Sequence, residues 1–145
     1  MFLRALLCRP AVPLTPMTVA MVAAVKQVLL IEEEPTLREI TAFRLELLGY
    51  QVTALESADG IVERVSNDRP NAVIVGHFLQ GISGLDVLDR LSTDVRTAGA
   101  PVMFLSPNSD LEDVQKAFTA GADEYLVTPF DPMVLEKKIN RLTTA

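Results

Sequence analysis

The chain is poor in the residues that carry most covalent and metal chemistry. Among 145 residues there is one cysteine, Cys8, one histidine, His77, and no tryptophan. A single cysteine excludes a disulfide framework within the chain, and with one histidine it excludes the clustered Cys/His sets that hold zinc. A Ser-His-Asp or Cys-His nucleophile would have to use His77, which has no suitable partners near it in the sequence. Charge is sparse as well. Charged residues make up 22% of the chain, 13 basic against 19 acidic, for a net charge of −6. Nucleic-acid binding is not expected, because neutralising a phosphate backbone needs a basic face. There is also no long unbroken apolar run. The uncharged stretch 11–25 is interrupted by Pro13 and Pro16 and is too short to span a bilayer. No membrane contact is expected, and the cytoplasm is the expected location.

What is present is hydrophobic content of 49%, enough to bury the core of one compact domain. The first 25 residues stand apart in composition. Arg4 and Arg9 ahead of an apolar stretch, with Ala20, Ala23 and Ala24 near a cleavage point, would suit a secretory signal. Against that, a core strand follows with no spacer, and Met17 and Met21 offer alternative starts. Residues 1–25 are therefore read as a disordered extension or an over-long start, and residues 26–145 as one domain.

From Lys26 onward, short apolar runs alternate with helical periods. The strands predicted are Gln27 to Ile31, Gln51 to Leu55, Ala72 to Gly76, Val102 to Leu105 and Tyr125 to Val127. The first helix opens at Glu34-Pro35 and closes at Gly49, with Leu37, Ile40, Thr41 and Leu48 on one stripe and Arg44 forced to snorkel from it. The second runs from Asp59 to about Asn67. Ser83 caps the third, which carries Leu85, Leu88 and Leu91. Ser109 and Glu112 have capping-box spacing ahead of a fourth helix that buries Leu111, Val114 and Phe118 and ends at Gly121. Asp131-Pro132 opens the fifth, with Leu135, Ile139 and Leu142 inward and Glu136, Lys137, Lys138 and Arg141 outward. Five β–α units with apolar strands imply an α/β fold with a doubly wound parallel sheet. Functional residues in such a sheet gather just beyond the carboxyl ends of the strands, after Ile31, Val75, Leu105 and Val127.

At those points the sequence resembles the receiver domains of bacterial response regulators. Val28-Leu29-Leu30-Ile31-Glu32-Glu33-Glu34-Pro35 resembles the receiver opening, and Pro70 to Gly76 resembles the third strand with Gly81-Ile82-Ser83-Gly84 behind it. Pro101 to Ser106 resembles the fourth strand, and Gly121 to Phe130 is the closest match. The resemblance implies a flavodoxin-like (βα)5 sheet in strand order 2-1-3-4-5. It also implies a phosphorylation pocket in which an acidic pair and a third-strand aspartate hold Mg²⁺, that aspartate accepts a phosphoryl group, and a lysine offsets the charge. Here the acidic pair is Glu32 and Glu33, the acceptor position is Gly76, and the lysine position is Thr128, before a proline expected to be cis. Ser106 keeps the terminal hydroxyl and Tyr125 the switch aromatic, either as working switch parts or for local packing and hydrogen bonding. Mg²⁺ is expected to bind weakly at most, through Glu32 and Glu33. Adjacent strand residues face opposite ways, so His77 is expected to miss the pocket.

The first reading is a non-enzymatic regulatory module in phosphorelay signalling that is not itself phosphorylated. It would present its first helix or its last helix–strand face to a histidine kinase, a phosphotransfer protein or another receiver, or form a homodimer. With no output module after the fifth helix, its output would pass through a partner. A second reading places a small ligand in the altered crevice. A third, ranked last, is a conventional phosphoreceiver with another acceptor, such as Ser106 or a glutamate.

Overall fold

In a computed structural model, residues 25–144 are described. The expectations for the N-terminal extension and Cys8 lie outside them. The main strands are β1 (Gln27–Ile31), β2 (Gln51–Leu55), β3 (Ala72–Gly76), β6 (Val102–Ser106) and β7 (Glu124–Val127). Between β3 and β6 lie two short strands, β4 (Phe78–Leu79) and β5 (Ile82–Ser83). The helices are α1 (Pro35–Leu47), α2 (Ile61–Asp68), α3 (Gly84–Thr93), α4 (Leu111–Ala120) and α5 (Pro132–Thr144).

The five main strands form one sheet in the order β2-β1-β3-β6-β7, every pair parallel. The expected numbering 2-1-3-4-5 is thus corrected. A two-residue antiparallel hairpin, β4 with β5, takes the fourth and fifth places in the chain and forms a separate small sheet. All residues of β3 and β6 are buried, as continuous apolar strands covered on both faces should be. Leu45 of α1 and Leu135, Ile139 and Leu142 of α5 pack on one face around Ile74 and Leu105. Ile61, Leu88 and Ala117 of α2, α3 and α4 pack on the other around Val75 and Phe104. The chain steps from β1 outward to β2 and then back across to β3. The strand order therefore reverses between β1 and β3, and a crevice opens at their carboxyl ends.

Several local expectations need correction. In α1 the buried positions are Thr41 and Leu45, while Ile40, Leu48 and Arg44 are exposed, so Arg44 has no need to snorkel. The threonine is buried because its hydroxyl donates to the Leu37 carbonyl at 2.6 Å, which removes the cost of enclosing it. The second helix begins at Ile61, two residues later than expected. The capping box at Ser109 does not form. Asp110 is the N-cap of α4, and of the expected apolar face Leu111 and Phe118 are exposed while Ala117 is the buried contact. The cap of α3 is as expected, with the Ser83 hydroxyl accepting from the Asp86 N–H at 3.1 Å. Among the described residues no helix is long and apolar enough to cross a membrane.

Candidate functional site

The crevice at the β1–β3 switch point is set by two short segments. The first follows β1. The Glu32 N–H donates to the Leu55 carbonyl at 3.0 Å, which extends the sheet by one residue and directs the Glu32 side chain inward. That side chain is only 5% exposed. Glu34 then caps α1, its carboxylate accepting from the Leu37 N–H, and Pro35 takes the first helical position, where its missing donor costs nothing. The Arg38 guanidinium donates to the carbonyls of Glu32 at 2.9 Å and Glu33 at 3.0 Å and clamps the turn. Sequence reasoning missed Arg38. Its place one turn into a helix behind three glutamates was the available signal.

The second segment is the end of β3. Gly76 is buried, and a Cβ built there would strike Oε1 of Glu32 and lie 3.0 Å from its Cδ. The Glu32 carboxylate therefore takes up the space that a side chain at position 76 would enter. The glycine also meets α3: a Cβ on Gly84 would strike the Gly76 carbonyl oxygen and sit 2.7 Å from Cε1 of Phe104. Gly76 permits close approach from both sides.

Oε2 of Glu32 accepts from the Glu34 N–H at 3.0 Å, while Oε1 has no hydrogen-bond partner among the described residues. Burial pushes the Glu32 carboxyl above the ordinary carboxylate value. The Glu34 N–H opposes that shift, and the carboxylates of Glu34 and Glu33 add to it. Glu33 is exposed. This donor set does not fit Mg²⁺. Gly76 offers no ligand, Glu32 is turned over Gly76 with one oxygen engaged, and no group of three His, Cys, Asp or Glu among the described residues could hold a metal ion.

The other predicted site residues lie close by. Thr128 is half-buried at the crevice wall, its N–H donates to the Ser106 carbonyl at 2.9 Å, and the Thr128–Pro129 peptide is cis as expected. Ser106 and Tyr125 do not face the crevice together. Both hold the loop after β6: the Ser106 hydroxyl accepts from the Asn108 N–H at 3.1 Å, and the Tyr125 hydroxyl donates to the Asn108 carbonyl at 2.7 Å. The Tyr125 ring is buried, with its centroid 5.8 Å from that of Phe104.

His77 requires a correction. It borders the crevice instead of missing it. Its ring stands edge-on to Phe78, with centroids 4.2 Å apart, and to Phe104 at 5.7 Å, and its Nδ1 is buried with no hydrogen-bond partner among the described residues. Strand alternation ends with β3 at Gly76, and the chain turns there into the hairpin, so the simple opposite-face argument does not extend to position 77. The crevice has a volume of about 490 Å³. Its apolar wall comes from Pro35, Leu37, Phe78, Leu105 and Pro107, of which Pro35 and Leu105 lie in receiver-like segments and Leu37 on the apolar stripe of the first helix, while Phe78 and Pro107 were not singled out beforehand.

The comparisons with known proteins agree with this architecture. Residues 28–140 match the family model of the response regulator receiver domain. The phosphate regulon transcriptional regulatory protein PhoB of Klebsiella pneumoniae is 31% identical over 114 residues, covering 79% of this chain and 50% of that protein. The chain spans about half the length of the curated relatives it matches. The signal receiver domain of a signal transduction histidine kinase from Syntrophus aciditrophicus superposes with a TM-score of 0.75 at 27% identity, covering 83% of this chain and 91% of that one. The receiver domain of sensor histidine kinase PA1611 from Pseudomonas aeruginosa, whose structure has magnesium in the active-site cleft, gives a TM-score of 0.76 at 23% identity, covering 84% of this chain and 100% of that one. A match across most of the folded sequence, carried by the same order of strands and helices, makes the chain a member of the response regulator receiver domain family.

Proposed function

We propose that this chain is a non-enzymatic receiver module of two-component signalling that accepts no phosphoryl group itself and acts by protein contacts. The observation that carries the reading is the Glu32 carboxylate lying over Gly76. The place where a receiver would hold its nucleophile has no side chain and is covered by a fixed negative charge. An incoming phosphoryl group would meet Glu32, Glu33 and Glu34 with no lysine at Thr128 to offset it. Ser106, the alternative acceptor, is buried and its hydroxyl is committed to the loop at Asn108.

The contact surface suggested by the reading is α1. Ile40, Phe43 and Leu47 recur at helical spacing on its outer side, with Phe43 58% and Leu47 62% exposed. A histidine kinase, a phosphotransfer protein, another receiver or a second copy of the chain could cover that stripe. The net charge of −6 speaks against nucleic acid as the direct partner. The crevice itself favours a second reading, a receiver that holds a small ligand, because about 490 Å³ lies in the range of small-molecule sites and its wall is mostly apolar.

The first test is backbone amide NMR of the full chain with Mg²⁺ and beryllofluoride, a phosphoryl mimic. The expected result is unchanged resonances at Gly76, Ser106, Tyr125 and Thr128. A saturable response at those residues would withdraw the proposal and favour a phosphoreceiver with a non-standard acceptor.

A further inference from the structure

We infer that the outer stripe of α1 and the start of α5 form a self-association surface, through which two copies of the chain pair about a two-fold axis. The inference rests on the reading of α1 as a contact surface and names what covers it.

The patch is built from side chains that the fold does not use. Phe43 is 58%, Leu47 62% and Met133 77% exposed, and Ile40 and Leu48 lie beside them at helical spacing. None of the five packs into either core. Arg44, Leu47 and Leu48 at the end of α1 and Pro132, Met133 and Glu136 at the start of α5 line a hollow of about 120 Å³. Single exposed apolar residues need no explanation, whereas several on adjoining helices around one hollow mark a contact surface.

The hollow is too small for a drug-sized ligand, since such sites run to roughly 300–1,000 Å³. Its size suits the insertion of one side chain. Phe43, the bulkiest apolar residue of the patch, stands one turn from Leu47 on the rim. A surface that carries a hollow and an apolar knob side by side is complementary to itself. A two-fold rotation sets each Phe43 into the hollow of the other copy.

Charge selects a second copy over other partners. Arg44 and Glu136 line the same hollow, both are exposed, and neither makes an ion pair among the described residues. A partner surface of one sign would satisfy one of them and oppose the other. A two-fold copy brings Glu136 to Arg44 and Arg44 to Glu136, so each charge meets its opposite. The net charge of −6 works against the approach of two copies, and the patch is smaller than the about 20–30 residues a side of a standard interface. The dimer is therefore a reversible one.

The test is sedimentation velocity of the full chain from micromolar to submillimolar concentration. A reversible monomer–dimer equilibrium is expected. Arg44→Glu and Glu136→Arg, both at exposed positions that leave the fold intact, should each weaken it about tenfold or more, because each sets like charges opposite one another twice. Mixing the two variants should restore the dimer. One copy then carries only carboxylates at the two positions and the other only guanidinium groups, so both cross-pairs form again. Phe43→Glu should leave a monomer whose circular dichroism, and whose urea midpoint at dilution, match those of the native chain. A native chain that stays monomeric throughout, or a mixture no more associated than its separate components, would overturn the second copy as occupant and leave the α1 surface to another partner. A Phe43→Glu variant that loses its fold would show that the stripe supports the fold, and would overturn the contact-surface reading as well.

Discussion

Glu32 carries opposing roles within one side chain. One oxygen accepts from the Glu34 N–H and shapes the start of α1, while burial of the charge works against folding. Because its folded-state pKa is raised, the folded protein holds this proton more tightly than the unfolded chain. The associated stability is complete below the ordinary carboxylate value and is lost as pH rises through the folded value. Glu32→Gln should therefore stabilise the protein at neutral pH by about 1 kcal/mol, and should flatten the fall in stability with rising pH, read from urea midpoints across that range. Gly76→Ala should cost about 1–3 kcal/mol on the native background, since the new Cβ meets the Glu32 carboxylate. Trimming the neighbour by Glu32→Ala should relieve most of that loss. A double-mutant cycle that came out additive would mean the two positions do not touch.

At the scale of the elements, two joints hold the crevice in shape. One is the close seating of α3 on the end of β3. Gly84→Ala puts a Cβ against the Gly76 carbonyl oxygen and the Phe104 ring, and backbone cannot swing aside as a side chain can. The cost should fall at the upper end of about 1–3 kcal/mol or beyond, measured by chemical denaturation. The other is the loop after β6, held at Asn108 by Ser106 and Tyr125. Tyr125→Phe should cost about 0.5–1.5 kcal/mol and speed hydrogen exchange in residues 107–110 without loosening β3. The strands and the α3 cap were legible in the sequence because continuous apolar runs, and a serine just ahead of leucines at helical spacing, have few other meanings. The inward face of α1 was legible only in part. Spacing put Thr41 on the stripe, where it is buried with its hydroxyl satisfied on its own helix, but it also put the exposed Ile40 and Leu48 there and passed over Leu45. The β4–β5 hairpin escaped for a different reason, since strands of two residues have no period to detect.

For the whole molecule, the sheet divides the interior into two cores, and a crevice opens at its carboxyl edge. The position of that crevice followed from the β–α order alone. Its contents did not, because a glutamate can reach over a neighbouring glycine or out to water depending on its rotamer. The outer stripe of α1 belongs to neither core. Phe43→Glu should change unfolding free energy by no more than about 0.5 kcal/mol, checked by thermal and urea melts. A larger loss would show that the stripe supports the fold and would remove it as a contact surface.

The pairing of Glu32 with Gly76 also constrains the order in which substitutions can accumulate. An aspartate introduced at position 76 while Glu32 is present collides with the carboxylate already there and brings a second negative charge beside it. Shortening residue 32 first removes the obstruction, after which a side chain at 76 has room. The two positions are thus epistatic, and in the present background the route from glycine to an acidic residue at 76 passes through residue 32.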